Sequence, residues 1–236
     1  MSDYDRNVAA FPGAAQTVAV DAGLRAHMIR VYNYMAGGVA LTGVVAYVTN
    51  LYFGQQLYTS PLMLVLVFAP FALVLFLSFR IERLAASTAR TLFFVYAALL
   101  GASLSVIFSV YTETSITRVF FVTAATFGGL SLWGYTTQRD LSAMGSFLIM
   151  GLFGIIIASV VNIFLASSGL QWIISVVGVI VFAGLTAWDT QKIKEMYSPM
   201  DDGTVTGRKA VMGALSLYLD FINLFLMLLR LFGDRR

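Results

Sequence analysis

Seven stretches of this chain are each apolar over about the length needed to cross a lipid bilayer: residues 31–53, 61–79, 91–111, 119–136, 145–166, 170–189 and 210–232. About 20 residues are needed, because roughly 30 Å of hydrocarbon is crossed at 1.5 Å per residue. Seven such spans consume most of the 236 residues and leave no room for a separate soluble domain. The composition agrees: 59% of residues are apolar, only 11% are charged and the mean hydropathy is +0.83, whereas soluble domains carry about 25% charge. The expected fold is all-α, a seven-transmembrane-helix bundle in a multi-pass membrane protein. The chain has no Cys and one His, His27. This removes disulfides, thiolate zinc sites, Cys nucleophiles and Ser-His-Asp chemistry. A net charge of +3 on so apolar a chain does not argue for nucleic acid.

Short polar or Gly/Pro-containing connectors separate the spans; the longest runs from Thr190 to Lys209. Residues 1–30 read as a polar arm with neither the apolar core nor the cleavage site of a signal peptide. Residues 31–233 form the membrane domain and 234–236 a short tail. Eleven Lys and Arg fall on the N-terminal side of the spans and four (Arg118, Arg230, Arg235 and Arg236) on the other. Basic residues collect on the cytoplasmic side. The expectation is a cytoplasmic N-terminus and, after seven spans, a C-terminus outside.

Asp220 lies ten residues into the last span, among Leu217, Leu219, Phe221 and Ile222. An acid near the bilayer centre costs about 2.5–3.5 kcal/mol on insertion scales, so it needs a partner or a proton. Ser216, Asp220, Asn223 and Met227 share one helical stripe, which should face the bundle interior. The role is either a titrating site or a neutral bond between helices. Asp189 closes the sixth span ahead of Lys192 and Lys194; its spacing suits an interfacial carboxylate paired with lysine. Meeting Asp220 requires the sixth helix to continue to near Ile193 or Met196. Arg80 and Arg83 follow the second span and either stay at the interface or reach inward. Arg139-Asp140 reads as an ion pair or a helix cap with Ser142, Glu113 as water-facing, and His27 as solvated.

The run Leu215-Ser216-Leu217-Tyr218-Leu219-Asp220-Phe221-Ile222-Asn223-Leu224-Phe225, continuing through Leu228-Leu229-Arg230, resembles the last helix of the Bax inhibitor family. Gly184 to Ile193, with Trp188-Asp189-Thr190-Gln191, is similar to that family's sixth-helix signature. Arg139 to Gly145 and Val161 to Leu165 are further family-like runs. The resemblance implies a bundle with a central C-terminal helix. It also implies a hydrogen-bonded pair, Asp189 and Asp220, acting as the pH sensor of a calcium leak. A second-helix arginine would latch the pair, with Arg83 the nearer match and Arg80 the alternative.

Two carboxyls a few ångströms apart in low dielectric cannot both ionise cheaply and hold one proton between them. With the proton the pair is a clamp; without it, a wedge. Calcium prefers six to eight oxygen ligands. Asp189 and Asp220, with Asn223 and Ser216 in support, suit a passing or weakly bound ion better than a resident one. No cofactor and no enzymatic reaction are expected. The functional expectation is a pH-sensitive calcium or cation leak channel. The alternative is a stress-response membrane protein that modulates a membrane protease or other membrane partners without ion transport. Expected partners are the bilayer and calcium, with the chain a monomer or weak oligomer. An intramembrane aspartyl protease would need a Gly-x-Gly-Asp context, a retinal protein a lysine within the seventh span, and a zinc protease His-Glu-x-x-His; none is present.

Overall fold

The apolar runs are helices, and several continue beyond their hydrophobic stretch. The computed structural model describes residues 12–58 and 60–236. Its helices are α1 (Pro12–Tyr58), α2 (Leu62–Arg80), α3 (Ala86–Leu104), α4 (Ile107–Val110), α5 (Glu113–Thr136), α6 (Ser142–Leu165), α7 (Ser168–Glu195) and α8 (Gly203–Phe232). One 3-10 turn, Ile81–Arg83, follows α2, and α4 extends α3, so the helices make seven spans.

Two boundaries differ from expectation for a physical reason. On α1, Met28, Val31, Met35 and Val39 recur every three or four residues and are buried. This period carries the buried face of the helix back past residue 31 to Met28. The arm expected over residues 1–30 is helical from Pro12, while residues 1–11 lie outside the described residues. His27, expected in water, is 2% exposed. Its ring lies 5.7 Å from that of Tyr197, beyond the end of α7. At the other end of the chain, the connector expected over Thr190–Lys209 shrinks to residues 196–202. Thr190, Gln191 and Ile193 are buried on α7. Their polarity is that of helix residues with partners, not of a loop.

α8 is the axis of the bundle. Of its most apolar 18-residue window 72% is buried, against 11% for α2 and for α6. It packs on α7, α1, α5 and α3, whereas α6 leans on α7 and α2 mainly on α3. One core cluster joins α1, α3 and the first half of α8 around Phe93, Tyr96, Leu217 and Tyr218. A second joins α5, α6, α7 and the second half of α8 around Phe182, Leu224 and Leu228.

Side-chain caps fix several turns. Asp202 caps α8, its Oδ1 accepting from Val205 N at 2.7 Å, and Asp201 pairs with Lys209 at 2.6 Å. Asp140 Oδ1 accepts from Ser142 N at 2.8 Å, an Asx-turn one residue ahead of Leu141, the N-cap of α6, so Asp140 bonds Ser142 as expected but from outside the cap position. These Ser142 bonds, side chain first and then backbone, hold the Asp140 carboxyl below its ordinary range. The tail is docked: Thr112 N donates to Asp234 O and Arg236 N to Val110 O. Glu113, expected to face only water, lies 3.6 Å from Arg236, an exposed pair.

Candidate functional site

Asp189 and Asp220 meet. α7 and α8 are antiparallel, and Gly213 of α8 abuts the side chain of Ile193 on α7. From that level Asp189 lies four residues deeper and Asp220 seven, an offset of roughly 4–5 Å at 1.5 Å per residue. Side chains on a helix lean toward its N-terminus. On these antiparallel helices the two carboxyls therefore lean toward each other and close the gap. Their side chains are hydrogen-bonded. A carboxylate only accepts, so the bond requires a proton on one of the two. Asp220 is 5% exposed, and its Oδ2 finds no conventional donor among the described residues. Asp189 is half-buried, which the continuation of α7 to Glu195 explains.

Two glycines hold the α7 segment that carries Asp189. A Cβ at Gly134 of α5 would overlap the carbonyl oxygen of Ala187, and one at Gly145 of α6 would overlap the indole of Trp188. Both helices thus approach within backbone contact of the two residues before Asp189. Just after it, Thr190 Oγ1 bonds Ser131 Oγ at 2.9 Å, and Ser131 bonds Tyr32 OH of α1. Gln191 spans the α5–α6 connection, accepting from Leu141 N and donating to Arg139 O, both at 2.8 Å. Position and orientation of this α7 segment are therefore set from α1, α5 and α6 together.

The remaining expected residues are placed apart from the pair. Arg83 sits in the 3-10 turn and Arg80 ends α2; both are exposed and neither forms an ion pair among the described residues. The cation whose charge acts on Asp189 is Lys192, one turn along α7, with Nζ 4.9 Å from the Trp188 ring centroid. Asn223 donates to Leu219 O of its own helix at 2.8 Å, and Ser216 bonds neither aspartate. No group of three or more His, Cys, Asp or Glu that could hold a metal ion forms among the described residues. The carboxyl pair is thus a two-residue acidic site, not a closed cation cage. The α7 partners Thr190 and Gln191 were not singled out from sequence as positioning groups. Their partners, Ser131 on α5 and the backbone of the α5–α6 connection, are distant in sequence, so no local signal marked them.

Comparison with known proteins agrees with this architecture. The family model described as "Inhibitor of apoptosis-promoting Bax1" matches residues 24–236. The "Inner membrane protein YbhL" of Escherichia coli strain K12 is 48% identical over 231 residues, covering 96% of this chain and 99% of its own. "Uncharacterized protein RP147" of Rickettsia prowazekii is 45% identical over 240 residues, covering both chains fully. "Uncharacterized protein YrjE" of Lactococcus lactis is 42% identical over 216 residues, covering 89% of this chain and 92% of its own. With its seven spans and a match over nearly its whole length, this chain is a membrane protein that belongs to the Bax inhibitor family.

Proposed function

We propose that the protein lets calcium or other cations leak down their gradient, gated by the proton shared between Asp189 and Asp220. The observation that carries this reading is the contact itself: two acids on adjacent helices, one of them 5% exposed, hydrogen-bonded to each other within the bundle. Sharing a proton, the pair ties α7 to α8. When the proton leaves, two like charges in low dielectric repel and push the helices apart. Lys192 stands one turn along α7 from Asp189, at the end of the same helix. The freed oxygens then offer a transit site for a hard cation, completed by water. Arg83 and Arg80, exposed on the same side of the bundle, would have to move inward to act as a latch. By similarity to YbhL, whose name states an inner membrane, we place the chain in a bacterial plasma membrane, with the basic N-terminal side in the cytoplasm.

The test is calcium flux into proteoliposomes at stepped pH, wild type beside Asp189→Asn and Asp220→Asn. Flux should rise with pH in the wild type, and its pH dependence should flatten in both variants. Unchanged flux and pH response in both variants refute the gate. Absence of any leak in partner-free vesicles refutes the channel and favours action through membrane partners.

A further inference from the structure

α1 and α5 both pack on α8, and between them a groove of about 550 Å³ opens on the outer surface of the bundle. Its walls are apolar over Ile29, Met35, Phe127, Gly128 and Leu132, and Arg25 stands at its mouth. On α1 the lining runs from Arg25 to Ala36, roughly 16 Å along the axis at 1.5 Å per residue. That is about half of a 30 Å hydrocarbon core, the depth of one leaflet. A second cation reaches the same mouth: Lys194 Nζ donates to Tyr135 O at 2.9 Å and lies 5.3 Å from the ring centroid of Tyr135, itself part of the lining. Among the described residues, none that is acidic lines the groove.

We propose that this groove binds one anionic phospholipid of the leaflet on the N-terminal side, its phosphate at Arg25 and Lys194 and an acyl chain lying along Gly128. The matching depth, the apolar walls and the two cations at the mouth select that occupant over a zwitterionic lipid. Basic sites at helix ends bind anionic head groups in this way. Gly128 shapes the groove, since a Cβ there would meet nothing within 4 Å. The site also touches the machinery around the aspartates, because Ser131 in its wall bonds Thr190. Lipid binding itself does not depend on the channel reading.

The experiment is native mass spectrometry of the delipidated full-length protein. Phosphatidylglycerol, phosphatidylcholine of the same chains, and glycerol phosphate are titrated in turn. Phosphatidylglycerol should bind at least about fivefold more tightly than phosphatidylcholine, the ratio that one of the two cations near a membrane surface supplies by itself. Arg25→Gln should reduce that preference. Gly128→Leu, which the open space accommodates, should weaken both lipids, and glycerol phosphate should not compete. Equal binding of the two lipids by the wild type overturns the proposal. So does undiminished phosphatidylglycerol binding by Gly128→Leu, or displacement of the lipid by glycerol phosphate.

Discussion

Replacing Gly134 with alanine tests whether the aspartate-bearing segment is held by backbone contact. In an open helix interior, Gly→Ala stabilises by about 0.5–1 kcal/mol. At Gly134 the new methyl would overlap the Ala187 carbonyl, and α5 and α7 would have to separate by roughly 1 Å to restore ordinary contact distances. Overpacking of this kind costs about 1–3 kcal/mol, which outweighs the helix preference. Net of the helix preference the cost is up to about 2.5 kcal/mol, and at about 2–4 °C per kcal/mol for a chain of this length the unfolding midpoint in detergent should fall by up to about 10 °C. Gly129→Ala is the control: a Cβ there meets nothing within 4 Å, so that variant should unfold at or above the wild-type temperature. A shift of the α7 backbone two residues before Asp189 also stretches the carboxyl bond. The infrared carbonyl band of the protonated acid, assigned with Asp189→Asn, should therefore move in Gly134→Ala and stay in Gly129→Ala. A Gly134→Ala protein as stable as wild type, with an unmoved band, would refute the reasoning.

Four further outcomes follow from individual contacts. Tyr218→Phe loses the buried 2.6 Å bond to Thr42 but keeps the ring contacts with Phe93 and Tyr96. It should cost about 1 kcal/mol in chemical unfolding, and no loss would show that the hydroxyl contributes nothing. Ala166→Gly relieves a left-handed residue at φ 47° that ends α6. The relief of about 1–2 kcal/mol, less about 0.4–1 for a more flexible unfolded chain, leaves a net gain to be read as a higher unfolding midpoint. His27→Leu removes two buried ring nitrogens without partners among the described residues and should leave stability equal or raised; a clear loss would show that they are bonded. Asp140→Ala should destabilise at neutral pH. The depressed carboxyl stabilises the fold above the ordinary carboxylate range, and that contribution is lost as pH falls through its folded value. Unfolding curves of variant and wild type should therefore converge in acid.

The spans were legible because bilayer thickness sets a length that no short-range detail can hide. Asp220 was legible for the same reason, as an acid with hydrocarbon neighbours on both sides. Its partner was harder. Spacing alone put Asp189 at an interface beside lysines, and Lys192 is indeed the nearby cation; the family-like run around Trp188 pointed to the pair instead. The depth of Asp189 depends on where α7 stops, and that depends on Thr190 and Gln191 finding partners on α5 and its connection to α6. Polar residues near a helix end carry no local mark that distinguishes a loop from a satisfied helix face. His27 was misjudged in the same way, because its burial is decided by the residues after α7 folding back over it. Of the N-terminal extension of α1, only the part back to Met28 was visible, in the Met28, Val31, Met35, Val39 period.

The encased position of α8 bears on how the protein is made. Ribosomes deliver this helix after the other six spans, four of which pack directly on it, so those four enter the lipid with no axis to pack against. Until Gly203–Phe232 emerges, the faces destined for Leu217, Tyr218 and Leu224 meet lipid or one another. Closure of the barrel is thus a late, nearly all-or-none event, and a chain halted before α8 should be a substrate for quality-control proteolysis rather than a partly working protein.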